Sequence, residues 1–190
     1  MAVKQVKSWS GKGVIVILLL GLCAALALAC LPFIEKEFYP YLYRDIIEKN
    51  AAIYGVDPLL VAAVIREESR FRADAESRQG AKGLMQIMPS TAFFIAESLN
   101  DQTYDEKYLF DPERNIQYGT WYLADLQKVF ANNIALIAAA YNAGRGQVQE
   151  WISDNRIDPD DIQLEVIPFD ETRIFVERVL KSYEKYKKLY

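Results

Sequence analysis

The sequence predicts a mostly helical domain preceded by one transmembrane helix, and three observations carry that prediction. An uncharged apolar run fills residues 14–34. Behind it, apolar residues recur at helical spacing in segments opened by Asp-Pro pairs and closed by glycine. Only the stretch around Gly80 and Gly83 leaves room for strands, a small β-hairpin at most. The 190 residues, 52% hydrophobic and 25% charged, suit one compact domain with a modest extension.

Residues 1–13 carry Lys4, Lys7 and Lys12 and no acid, which marks a short cytoplasmic leader. As a helix, roughly 18 to 21 residues of this run rise roughly 27–31 Å, close to the hydrocarbon thickness of a bilayer. Trp9 and the group Phe38, Tyr39, Tyr41 and Tyr43 suit its two interfaces. A retained anchor is the reading adopted. A signal peptide cut after Ala27-Leu28-Ala29 and a lipoprotein modified at Cys30 are the alternatives. Residues 35–190 are then the folded domain, held on the outer side of the cytoplasmic membrane by a single pass.

Within that domain the first helix covers 41–54, with Ile46, Ile47, Ala51 and Tyr54 on one face and Gly55 as its stop. Asp57-Pro58 supplies an N-cap and a first-turn proline for a helix over 58–70. That helix is apolar nearly all round from Leu59 to Ile65, which predicts a central position, and then turns into Arg66-Glu67-Glu68-Ser69-Arg70. Asp111-Pro112 opens another through Ile116, Leu123, Leu126 and Phe130. Ile134 to Tyr141 forms the next, closed near Gly144, and the last follows Asp170 with Phe175, Val176, Val179, Leu180 and Tyr183 on one face.

The composition excludes several chemistries. Histidine is absent, and the two cysteines, Cys23 and Cys30, lie in the apolar run. Ser-His-Asp and Cys-His systems and His- or Cys-ligated zinc are therefore excluded from the folded part, and neither metal nor cofactor is expected. With 22 basic against 26 acidic residues and a net charge of -4, the chain has no nucleic-acid footprint. Chemistry must come from carboxylates, tyrosines, lysines, arginines or amides.

Glu68 follows Ile65, Val64 and Val61 by three, four and seven residues, so its carboxyl shares their side of the helix. Partial desolvation there raises its pKa and suits it to deliver a proton. The same spacing also allows a plain ion pair with Arg72 at i+4. Glu67 passes the same periodicity test over Leu60, Ala63 and Val64, and spacing does not choose between the two. Gln86, in Gly83-Leu84-Met85-Gln86-Ile87-Met88-Pro89, reads as a buried turn bonded to backbone, with Ser90 or Thr91 as a helix cap just behind it. Asn142 and Gly144 read as helix terminators. Tyr104, Tyr108, Trp121, Tyr122 and Trp151 fit core packing or stacking on sugars.

Four blocks stand in order: Glu68-Ser69 ending a hydrophobic helix, Gly80 to Pro89, Ala140-Tyr141-Asn142-Ala143-Gly144, and Ile167-Pro168-Phe169-Asp170-Glu171-Thr172-Arg173. Together with Asn115 and Gly119 they resemble the soluble lytic transglycosylases of glycoside hydrolase family 23, related in fold to goose-type lysozyme, over about Tyr43 to Tyr183. The resemblance implies a lysozyme-like helical domain whose partner is the peptidoglycan glycan strand. It implies that Glu68, the acid before the serine, is catalytic. Ser69, Met85, Gln86, Tyr141, Asn142 and Glu165 would bind substrate. The implied reaction is cleavage of the bond between N-acetylmuramic acid and N-acetylglucosamine with a 1,6-anhydro product. A lysozyme-type muramidase and a noncatalytic murein-binding module are the alternatives. Arg78, Arg145 and Glu67 depart from the usual pattern.

Overall fold

The computed structural model describes Ile15, residues 18–23, Leu26 and residues 35–190. The chain divides into two compact units, one reaching Pro40 and one beginning at Tyr41. In the first, Ile15, residues 18–23 and Leu26 are helical and exposed, and a helical turn over 35–38 is closed by the Tyr39 N–H on the Glu35 carbonyl at 3.0 Å. No helix among the described residues is long and apolar enough to cross a membrane. The rest of the expected span over 14–34, with Cys30 and Trp9, lies outside the described residues.

The second unit is built from seven helices: α1 (Arg44–Tyr54), α2 (Pro58–Ser69), α3 (Pro89–Leu99), α4 (Pro112–Val129), α5 (Ile134–Ala143), α6 (Arg145–Ser153) and α7 (Asp170–Leu189). Two 3-10 turns, Glu106–Phe110 and Leu164–Val166, complete it. The described residues hold no strand. The expected hairpin is reduced to two antiparallel bridges, Glu76 with Lys82 and Lys82 with Ile87.

The starter signals act as their chemistry dictates. Asp57 accepts from the Leu59 N–H at 2.8 Å and Asp111 from the Arg114 N–H at 2.9 Å, each ahead of a first-turn proline. Gly55 closes α1 in the left-handed region at φ 71°. Neither Ser90 nor Thr91 caps α3. Its N-cap is Met88, which offers no side-chain acceptor, and Pro89 takes the first position so that one orphan N–H is missing from the start.

α2 runs through the centre, with every side chain from Leu60 to Ile65 buried. α4 packs against α1, α3 and α5. The last helix is tied to α2 twice. The Tyr183 hydroxyl donates to Asp57 at 2.6 Å, so this carboxylate caps α2 with one oxygen and holds α7 with the other. The Ser182 hydroxyl donates to Glu67 at 2.5 Å.

Candidate active site

The site begins with the last turn of α2, where two adjacent glutamates have different surroundings. Glu67 accepts from Ser182 and pairs with Arg66, so its charge is balanced locally. Glu68 is half-buried and has no hydrogen bond or ion pair among the described residues. Burial chiefly, then the charges of Glu171 and Glu67, push its pKa from the ordinary 4.5 to about 8. The i+4 pair with Arg72 does not form. Arg72 donates instead to the Ser69 carbonyl at 3.3 Å.

Glu68 opens onto a groove of about 500 Å3 whose walls include Ser77, Gln86, Met88, Tyr141, Asn142 and Glu171. A contiguous hollow of about 450 Å3 continues past Glu68 and Asn142 towards Phe175 and Arg178. Four of the residues expected at the site, Glu68, Gln86, Tyr141 and Asn142, therefore meet around one space.

The wall that carries Gln86 is shaped by Asn115 of α4. This fully buried amide accepts from the Met85 N–H at 2.7 Å and donates to the carbonyls of Leu109 at 2.7 Å and Lys82 at 2.9 Å. Gly83 sits against it at φ 75°, and a Cβ there would overlap both the Leu109 carbonyl oxygen and the Asn115 amide. Leu84, Met85 and Ile87 thereby turn inward while Gln86 and Met88 face the groove. The Gln86 amide donates to the carbonyls of Gly83 at 2.9 Å and Ala75 at 3.1 Å, so it braces the turn as it lines the groove.

The opposite wall is the last turn of α5, which ends at Gly144, φ 93°. The Tyr141 hydroxyl donates to the Met85 carbonyl at 2.8 Å, and burial with the nearby Glu68 charge pushes its pKa well up. Tyr141 therefore stays neutral. The Thr172 hydroxyl donates to the Asn142 side-chain carbonyl at 2.7 Å, and the Asn142 N–H groups have no protein partner among the described residues. Trp151 of α6 meets Phe169 edge-on at 5.0 Å, which sets that exposed ring on the rim.

Three expected site residues stand outside these walls. Ser69 is 3% exposed and its hydroxyl donates to the Leu84 carbonyl at 2.7 Å, tying the end of α2 to the Gln86 turn. Met85 is fully buried, and its sulfur lies where a Cβ at Gly119 would fall. Glu165 is exposed in the second 3-10 turn. In their place the groove presents Ser77, Met88, Glu171 and Thr172. No local periodicity marks Met88, because Gln86 before it stands at φ 46° in a turn rather than in an extended segment. Glu171 lies in the first turn of α7, where the helix N-terminus favours negative charge. Among the described residues no cluster of metal-ligating side chains is present.

Fold and site together define a mostly helical, lysozyme-like domain built round one proton-holding acid. The Transglycosylase SLT domain profile matches residues 45–163, well over half of the chain, and the chain belongs to that family. It is 38% identical over 154 residues to the soluble lytic murein transglycosylase of Escherichia coli strain K12, covering 80% of this chain and 24% of that protein. It is 32% identical over 178 residues to the membrane-bound lytic murein transglycosylase C of Edwardsiella ictaluri, covering 82% of this chain and 49% of that one. The crystal structure of the 70-kDa soluble lytic transglycosylase of Escherichia coli superposes with a TM-score of 0.74 at 36% identity, over 81% of this chain and 25% of that chain. The chain thus spans about a quarter of the length of its soluble relatives and about half of the membrane-bound one.

Proposed function

We propose that this chain is a peptidoglycan lytic transglycosylase that cleaves the β-1,4 bond between N-acetylmuramic acid and N-acetylglucosamine and leaves a 1,6-anhydromuramoyl end. One observation carries the reading: Glu68, with its pKa near 8, holds a proton at neutral pH at the wall of an open groove. Its family membership and its likeness to proteins named murein transglycosylases support the substrate.

In the first step the Glu68 carboxyl gives its proton to the glycosidic oxygen. The bond from that oxygen to the anomeric carbon breaks, and the acetamido oxygen of the muramic acid closes on the anomeric carbon as the N-acetylglucosamine hydroxyl departs. In the second, ionised Glu68 takes the proton of the muramoyl 6-hydroxyl. That oxygen bonds to the anomeric carbon, the acetamido bond opens, and Glu68 is again protonated. No carboxylate nucleophile is needed, unlike the usual two-carboxylate arrangement. The Glu171 charge favours both the proton on Glu68 and the positive charge that develops at the sugar. The free Asn142 amide, held by Thr172, donates to the bound sugar, and neutral Tyr141 bounds the same wall.

Digestion of purified peptidoglycan followed by mass spectrometry tests the reaction. Anhydro muropeptides, one water lighter than reducing ones, are expected. Exclusively reducing products would make the protein a muramidase, and binding without product would make it a murein-recognition module. For the N-terminal segment we propose a retained membrane anchor over residues 14–34 that holds the domain on the cell-wall side. The lysine-flanked apolar run and the likeness to a protein named membrane-bound support it. Intact mass of the protein extracted from membranes separates a retained anchor from a cleaved or Cys30-lipidated form.

A further inference from the structure

The side that α7 turns to solvent is unevenly charged. Ile174, Arg178, Lys181, Lys185 and Lys188 follow one another at steps of four or three residues, which sets them on one stripe about 20 Å long, away from the buried face of Phe175, Val179 and Tyr186. Every member of the stripe is exposed or half-buried. Glu177 and Glu184 fall on a neighbouring stripe, where Glu184 pairs with Lys187. Arg178, Lys181 and Lys188 have no ion pair among the described residues. Residues 181–190 hold four lysines and one glutamate in a chain whose formal charge is -4, so positive charge is gathered here against the general sign.

The stripe ends among tyrosines. The Tyr41 ring meets Tyr186 edge-on at 6.1 Å and Tyr190 at 5.3 Å, so the end of α7 lies against the chain that enters α1. The Arg44 guanidinium stands over the Tyr41 ring at 5.4 Å. At the same end Tyr190 is 42% exposed and Leu42 51%. Long-stemmed cations beside exposed tyrosine and leucine suit the headgroup level of a bilayer, where ammonium groups meet lipid phosphates and the rings sit at the interface. A soluble polyanion would use the charges and leave Tyr190 and Leu42 in water. Chain length agrees: residue 34, the end of the proposed anchor, precedes Tyr41 by only seven residues, at most about 25 Å of extended chain.

We propose that the basic stripe of α7 and the tyrosines at its end lie on an anionic phospholipid surface, a membrane contact made by the folded domain itself. This rests on the retained anchor, which keeps the domain at the membrane, and adds an orientation to it. Arg178 also lines the hollow beside Glu68, so that end of the groove is turned to the bilayer. The test uses the full chain in nanodiscs of phosphatidylcholine, with and without phosphatidylglycerol, and a water-soluble amine-acylating reagent read lysine by lysine in a mass spectrometer. Lys181, Lys185 and Lys188 should react about fivefold more slowly on the anionic discs, the equivalent of about 1 kcal/mol for a basic side chain at a charged bilayer. Lys128 on α4 should react alike on both. The protection should vanish in 1 M salt, where the screening length falls to about 3 Å. Equal rates on the two discs, or equal slowing of Lys128, overturn the proposal. Equal protection by soluble polyphosphate on phosphatidylcholine discs also overturns it, by revealing a general polyanion site. A chain that does not float with phosphatidylcholine vesicles refutes the anchor alone. Flotation with phosphatidylglycerol vesicles that is lost on combining Lys181→Gln, Lys185→Gln and Lys188→Gln then still supports the stripe, and no flotation, or flotation that survives the three changes, overturns it.

Discussion

Glu67 and Glu68 are adjacent on α2 and differ only in what meets them. Glu67 has Ser182 and Arg66, whereas Glu68 has the groove and a like charge at Glu171. Glu68→Gln should lower turnover by at least about a hundredfold, the contribution of a positioned proton donor, with strand binding retained in a sedimentation assay. The same variant should be more stable. The native carboxyl binds its proton up to about pH 8 while the unfolded one releases it near 4.5, so wild-type stability falls as pH rises between these values and levels above. The stability gain of Glu68→Gln should therefore be absent below pH 4, grow through that window, and reach about 2–3 kcal/mol near neutrality in denaturant titrations. For activity, the alkaline limb of the kcat/KM profile should lie near pH 8. Glu171→Gln should move it to lower pH by removing the largest charge that acts on Glu68. Local periodicity in the sequence brings out both glutamates but cannot rank them, because the hydroxyl that occupies Glu67 comes from 115 residues further on. Glu165 and Glu171 show the same blindness. Both flank the Ile-Pro-Phe block, and only docking of α7 decides which faces the groove.

At the scale of elements, the Gln86 turn takes its shape from α4. Asn115→Ala would leave the Met85 N–H and the Leu109 carbonyl without their partner and take one of two donors from the Lys82 carbonyl, which keeps the Ile87 N–H. A loss of about 3 kcal/mol or more in thermal or denaturant unfolding is expected. Gly119→Ala should push Met85 from its place and weaken both stability and turnover, while an exposed substitution on the same helix such as Lys128→Ala changes neither. Thr172→Val keeps shape but removes the donor that orients the Asn142 amide. KM should rise several-fold with little change in melting temperature. Helices opened by Asp-Pro or followed by glycine are legible in the sequence, and α1, α2, α4 and α5 are found close to their expected bounds, as is α7, which Asp170 and one apolar face mark. α6 is not, because Gly144 ends α5 and begins α6 in one residue and leaves no loop to mark the boundary. α3 shows only a proline, since Met88 carries no capping group.

At the scale of the molecule, residues 41–190 form a compact unit with its own buried core. That fragment should unfold in one cooperative transition and retain muropeptide release in solution. The mostly helical character of the domain is legible from the spacing of its apolar residues, whereas the groove is not. Its walls come from α2, α5, the Gln86 turn and the start of α7, which are distant in sequence and meet only when packed. The pairing of Ser182 and Tyr183 with α2 carries this further. A polypeptide that has emerged only as far as residue 169 lacks the partner that occupies Glu67, the anchor of the Asn142 amide and the Glu171 charge all at once. The groove therefore takes its final form only when the last helix, the last segment to be made, has docked on α2.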